Sequence, residues 1–305
     1  MPTTRPIPAE LMVAFPGLQP RETVRLHPTP GSAPLDASKM GGEILWPEDE
    51  RWPVCGEHMS VLVPVLQIRK DDVPELGFPA DTDLYQLLWC PTFHREHTGP
   101  LSRTFWRRCR GILSVGPTPA PPGRFTSDLG EVDPWYLPQP CRLNPERVTE
   151  LPSAFDLDPM LVEEIDEWLL GHLDQWFAEG RVAEPTTELV ERFEGHPPPL
   201  YSWHFSVAPG TKIGGYVNWV QFSNWPRCER NHRMDHLLSV MNYESDPGDW
   251  LRWLPEEYEG ESLAGASLMA VVVPSGMMDD DAVVSAHFVC RVCPEWPEAV
   301  DFQGT

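Results

Sequence analysis

One stretch of this chain occurs twice, and that repeat constrains the fold more than any other feature. Lys39-Met40-Gly41-Gly42-Glu43-Ile44-Leu45-Trp46 runs on to Trp52-Pro53-Val54-Cys55, and Lys212-Ile213-Gly214-Gly215-Tyr216-Val217-Asn218-Trp219 runs on to Trp225-Pro226-Arg227-Cys228. Both copies read K-[MI]-G-G-x-[IV]-x-W, five residues, then W-P-x-C, with seven identities and no gap. A chain of 305 residues has room for two halves that each bury a core. Adjacent glycines suit positive φ or close backbone approach, so Gly41-Gly42 reads as a tight turn, a hairpin or bulge in preference to a ligand loop. The lysine precedes the glycines in both copies, unlike the order in a phosphate-binding loop.

Around the repeat the chain divides into an extended arm (1–38), a first β-rich half with an irregular, proline-rich extension (39–145), a helical connector (146–200) and a second β-rich half (201–305). In the arm, Leu11 to Phe15 offers a helical turn and Val24 to His27 a strand. Val61 to Ile68 reads as a strand with an edge or bulge at Pro64, and Leu237 to Tyr243 is its counterpart. Matching Gln67 with Asn242 gives the second copy a two-residue insertion. Asp83 to Cys90, Tyr201 to Val207, Ser267 to Pro274 and Val283 to Val292 are further strands, with Asp279-Asp280-Asp281 turning between the last two. His94 to Pro145 reads as irregular. Asp158-Pro159 opens a helix whose Leu161, Ile165, Trp168, Leu169, Leu173, Trp176 and Phe177 recur at helical spacing and which Gly180 stops. Glu188 to Glu194 adds a short second helix. The expected fold is α+β and mostly β: two duplicated antiparallel-sheet halves with one long connecting helix.

Seven cysteines, an odd number, point to thiols or metal ligands in preference to a disulfide framework. In the first half Cys55-x-x-His58 is followed one strand later by Cys90-x-x-x-His94. In the second, Cys228-x-x-x-His232 is followed by Cys290-x-x-Cys293, with Cys293-Pro294 set against Cys90-Pro91. Each half thus offers two ligand pairs on neighbouring turns, the construction of a structural zinc site; four protein ligands close the coordination sphere, so such an ion holds the fold and does not activate water. The alternative is buried reduced cysteines beside surface histidines. A second candidate is a ligand cleft between the halves formed by Lys39, Trp46, Lys212 and Trp219, against which stands core packing of the tryptophans and pairing of the lysines with carboxylates. No G-x-S-x-G elbow, H-E-x-x-H or dinucleotide fingerprint occurs, so no catalytic residue is assigned and an enzyme is the less favoured reading.

A net charge of -23 opposes binding to nucleic acid or an anionic membrane and suits a basic protein partner. Glu244 to Glu261 reads as a solvated acidic loop, and the basic run Arg103 to Arg108 as internally paired or solvated. No apolar run has the length of a signal peptide or a bilayer span, which makes the cytoplasm the expected location.

Several of these motifs together resemble the YwqG-like family of bacterial proteins, domain of unknown function 1963. The resemblance rests on Gly41-Gly42 with Leu45-Trp46-Pro47, on Pro64-Val65-Leu66-Gln67-Ile68, on Leu87-Leu88-Trp89-Cys90-Pro91 and on Lys212-Ile213-Gly214-Gly215-Tyr216. It continues through Met234-Asp235-His236-Leu237-Leu238 and Phe288-Val289-Cys290-Arg291-Val292-Cys293-Pro294, covering most of residues 24 to 300. It implies a largely β, internally duplicated α+β fold and no particular reaction. The family pattern places a second cysteine in the knuckle after the second W-P; here Asn231-His232 stands there, which makes that ligand set Cys3His. The chain is therefore expected to be a cytoplasmic, non-enzymatic binding or interaction protein stabilised by structural zinc, with a small-molecule binder or enzyme using the inter-half cleft as the alternative.

Overall fold

The computed structural model describes residues 3–96, 98–120, 132–133, 136–182, 199–244, 252–256, 271–277 and 283–304. Its elements are α1 (Ala9–Ala14), β1 (Arg21–Arg25), β2 (Thr29–Pro30), β3 (Lys39–Met40), β4 (Val63–Arg69), β5 (Leu84–His94), β6 (Gly99–Arg107), β7 (Cys141–Arg142), β8 (Glu146–Glu150), α2 (Pro159–Leu170), α3 (Leu173–Ala178), β9 (Lys212–Gly214), β10 (Asp235–Met241), β11 (Val283–Val289) and β12 (Glu298–Gly304). The strands form two six-stranded antiparallel sheets, ordered β2-β7-β3-β4-β5-β6 and β12-β11-β10-β9-β1-β8. The fold is α+β and mostly β.

Each copy of the repeat supplies four consecutive strands in the same order, β3-β4-β5-β6 and β9-β10-β11-β12. The other four strands come from two segments that pass from one sheet to the other. Residues 21–30 give β1 to the second sheet and β2 to the first, and residues 141–150 give β7 to the first and β8 to the second. The extended arm is thereby woven into both sheets. His94 to Pro145, expected to be irregular, contains β6 and β7; Leu101 to Trp106 satisfies its backbone on β5, as in the pairs Leu88↔Arg103 and Gln86↔Phe105.

The strand ladders correct the alignment of the two halves. Lys39 pairs with Gln67, and Lys212 pairs with Ser239, so the counterpart of Gln67 is Ser239 and not Asn242. Gln67 lies 12 residues after Cys55 and Ser239 lies 11 after Cys228, which makes the second copy one residue shorter instead of two longer. Matching register shifts, at Pro64/Leu66 in the first sheet and His236/Leu238 in the second, fix this correspondence.

The connecting helix is α2, capped by the Asp158 side chain accepting from the Met160 N–H, with Pro159 in its first turn. Its apolar stripe continues into α3 after a break at Gly171-His172. There the His172 ring binds the Trp168 carbonyl at 2.7 Å, competing for the acceptor that another α-turn would use. Tyr201 to Val207 is not a strand: Tyr201–Phe205 forms a π-helical turn, held where Asp166 accepts from the Tyr201 N–H and Tyr201 donates its hydroxyl to the Pro152 carbonyl. This turn buries Tyr201 and Phe205 against Ile165, Leu169 and Trp176 in a helical core beside the sheets. The main core takes Val65, Leu66 and Leu87 from the first sheet and Ile213, Leu238 and Val240 from the second, so the two sheets stabilise one another. Glu188 to Glu194 and Asp279 to Asp281 lie outside the described residues, as does the first half of Ser267 to Pro274; its described half is not a strand, Val271-Val272 being helical and the chain turning after it.

Candidate metal centres

The repeat ends in a knuckle, a short hairpin. In the first half Val54 bridges Val61, the Cys55 N–H donates to the Ser60 carbonyl, and Met59 turns the chain at φ 51°. In the second Arg227 bridges Arg233, the Cys228 N–H donates to the His232 carbonyl, and Asn231 turns at φ 64°. So tight a turn presents a cysteine and a histidine on one side. The opposing pair comes from the end of a core strand. β5 delivers Cys90 and His94, and the chain leaving β11 delivers Cys290 and Cys293. Trp89 and Val289 hold equivalent register positions, so Cys90 corresponds to Cys290 and His94 to Cys293. The shared Cys-Pro dipeptide, which sets Cys90 against Cys293, is misleading.

All eight expected ligands converge, in two groups: Cys55, His58, Cys90 and His94, and Cys228, His232, Cys290 and Cys293, the ligand atoms of each group lying within 4.8 Å of one another. A tetrahedral ion at zinc's bond lengths separates sulfur from sulfur by about 3.8 Å, sulfur from nitrogen by about 3.6 Å and nitrogen from nitrogen by about 3.3 Å. In the first group Sγ of Cys55 lies 3.8 Å from His58 Nδ1 and 3.6 Å from His94 Nε2, Sγ of Cys90 lies 3.5 Å from His58 Nδ1, and the two ring nitrogens are 3.2 Å apart. In the second, His232 Nδ1 lies 3.5, 3.7 and 3.5 Å from the sulfurs of Cys228, Cys290 and Cys293, and Cys228 is 3.9 Å from Cys293. Pairwise hydrogen bonds do not require four atoms to converge at these spacings; a shared cation does.

The surroundings suit a cation. Burial pushes the Cys90 thiol up to about 12, and burial together with the neighbouring thiols pushes Cys293 up to about 11, so a cation's charge is what would displace these protons. Behind the first group Glu57 accepts from His94 Nδ1 at 3.0 Å and lies 3.6 Å from His58 Nε2, fixing the ring nitrogens that face inward. Two thiolates neutralise a divalent ion in the first group; three in the second leave a net charge of about -1. Glu57 has no sequence signature beyond its place inside the knuckle.

The four cleft residues are not brought together. Trp46 packs on Trp52 beside Cys55 and Cys90, and Trp219 packs on Trp225 beside Cys290 and Cys293, each pair roofing its own cysteine cluster. Lys39 donates to the Glu43 carbonyl at 3.0 Å, and burial lowers its pKa. Lys212 is fully buried and pairs with Glu150 at 2.6 Å, Glu150 also accepting from the N–H groups of Ala208 and Tyr216. Burial lowers Lys212 to about 8 and raises Glu150. In the basic run, Arg107 pairs bidentately with Glu50 and Arg108 pairs with Asp81. Of the expected solvated acidic loop, Glu244 and residues 252–256 are described, and there Glu244 and Arg252 are buried instead of solvated.

The space between the halves lies elsewhere. A cavity of about 680 Å³ opens between the sheets, with Trp89, Phe93 and Tyr136 on one side and Met241, Ser285 and Phe302 on the other. Its lining comes from many separate segments, and no sequence pattern marks it. Among the described residues no helix is long and apolar enough to cross a membrane. No family of known proteins matches the chain, and no curated protein matches it either.

Proposed function

We propose that this chain is a cytoplasmic, non-enzymatic binding protein of the YwqG-like kind, whose two duplicated halves are each clamped by one structural zinc ion. The observation that carries the reading is the pair of four-ligand clusters, Cys2His2 and Cys3His, at equivalent places in the two sheets. Four protein ligands leave no open position for water or substrate, which favours a structural ion over a catalytic one. Each cluster ties a knuckle to the end of a core strand beneath a pair of tryptophans, so the ion would pin together elements that already share a small apolar cluster. The net charge of -23 suits a basic protein partner.

The test is removal of metal from the purified full chain with a strong chelator, followed by near-ultraviolet circular dichroism, in which Trp46, Trp52, Trp219 and Trp225 report on the clamps. The expected result is loss of the signal and its return on adding zinc. An unchanged spectrum after verified metal removal would overturn the structural role. A second reading, small-molecule binding between the halves, is favoured by the inter-sheet cavity, whose volume of about 680 Å³ falls within the range of ligand sites.

A further inference from the structure

We propose that the inter-sheet cavity is a binding site for a small organic cation with an aromatic or branched apolar body. The inference deepens the small-molecule reading and moves it away from Lys39, Trp46, Lys212 and Trp219. It rests on the chemistry of the cavity wall. Trp89, Tyr136 and Phe302 form a continuous edge-to-face series from the first sheet to the second, with ring centroids 6.1 Å apart at each step. Gly99 makes this possible, since a Cβ there would overlap the Phe302 ring. Phe93 and Phe222, both exposed, line the cavity from opposite halves. A cation over such rings gains attraction from their π faces, and more when water is excluded.

Among the described residues of the wall the formally charged side chains have one sign. Asp133 and Asp301 line the cavity, and among its described residues there is no lysine, arginine or histidine. The Asp301 carboxylate is held by the neutral amides of Asn224 and Gln303, which orient it without cancelling its charge. At the wall Ser285 contacts His287, which burial keeps neutral with a pKa of about 3, so no positive charge stands behind the hydroxyl. The field of a chain with net charge -23 also draws cations toward such an opening. An anion would meet carboxylates, and a small inorganic cation would leave the aromatic wall unused; an amine or quaternary ammonium on an apolar body uses both.

The test is calorimetric titration of the full chain with three probes of one shape: tryptamine (cation), tryptophol (neutral) and indole-3-propionate (anion). Tryptamine is expected to bind one to one, at least about tenfold more tightly than tryptophol, with the propionate weaker still. Asp133→Asn with Asp301→Asn is expected to bring tryptamine down to the level of tryptophol while leaving tryptophol unmoved, a selectivity that simple loss of fold would not give. Val283→Trp, at a partly exposed position on the wall, is expected to abolish both. No saturable binding of any probe, propionate binding as tightly as tryptamine, or full tryptamine binding in the Val283→Trp protein would overturn the site. The metal content of the same preparation is measured separately, so failure of the zinc clamps and failure of the cation site are distinct results.

Discussion

The glycine pair of the repeat offers a comparison in which one substitution is harmful and its twin is mild. Gly41 has φ +58°, and a Cβ there would stand 2.5 Å from the Pro138 carbonyl oxygen and 2.7 Å from that of Gln139. Those are backbone atoms leading into β7, which is pinned to β3 by the pairs Lys39↔Arg142 and Met40↔Cys141. Gly214 has φ +68°, yet no heavy atom lies within 4 Å of its would-be Cβ. Both alanine variants incur left-handed strain of about 1–2 kcal/mol. Only Gly41→Ala must also displace backbone, adding about 1–3 kcal/mol as overpacking does. With an unfolding entropy of about 2.1 cal/mol/K per residue over 305 residues, 1 kcal/mol lowers Tm by about 1.6 °C. Calorimetry of the metal-loaded proteins should therefore show Gly41→Ala lowered by about 5 °C and Gly214→Ala by about 2 °C. Equal shifts, or a larger one at Gly214, would refute close backbone approach as the reason for the first glycine.

Three further outcomes follow from single groups. Glu57→Gln keeps an acceptor for His94 but removes its charge, and competition with a chromophoric chelator should show zinc affinity reduced about 10- to 100-fold at the first cluster alone. Lys212→Met leaves the buried Glu150 carboxylate without its counter-charge and should cost about 3–5 kcal/mol in urea unfolding, part of it restored by adding Glu150→Gln. Burial raises Glu244 from its ordinary 4.5 to about 7, so on folding it takes up a proton between those pH values; its stability contribution is complete below about pH 4.5 and lost as pH rises through 7. Glu244→Gln should therefore gain on the parent by up to about 3 kcal/mol between pH 4.5 and 8, read from urea midpoints across that range.

What the sequence disclosed was local. Cys55-x-x-His58 and Cys228-x-x-x-His232 are legible because one short turn makes both ligands, and the second pair in each half follows a strand of recognisable apolar pattern. The pairing of the halves was less legible: the Cys-Pro dipeptides suggested Cys90 with Cys293, whereas hydrogen-bonded register sets Cys90 against Cys290. The passage of residues 21–30 and 141–150 between the sheets depends on partners more than 100 residues apart, and β2 and β7 are two residues each, too short for any periodicity. The Tyr201 turn read as a strand because its alternating aromatics fit period two; Asp166 and the helical core override that pattern. Lys212 and Trp219 repeat Lys39 and Trp46 for structural reasons, one pair of residues serving strand starts and the other covering cysteine clusters.

The zinc clamps are tested most directly by the metal content of the full chain purified without chelator, measured by inductively coupled plasma mass spectrometry beside Cys55→Ser and Cys293→Ser. Two equivalents of zinc in the parent and about one in each variant are expected, since each substitution removes one ligand from one cluster. A folded parent protein without bound metal would contradict the zinc clamps outright.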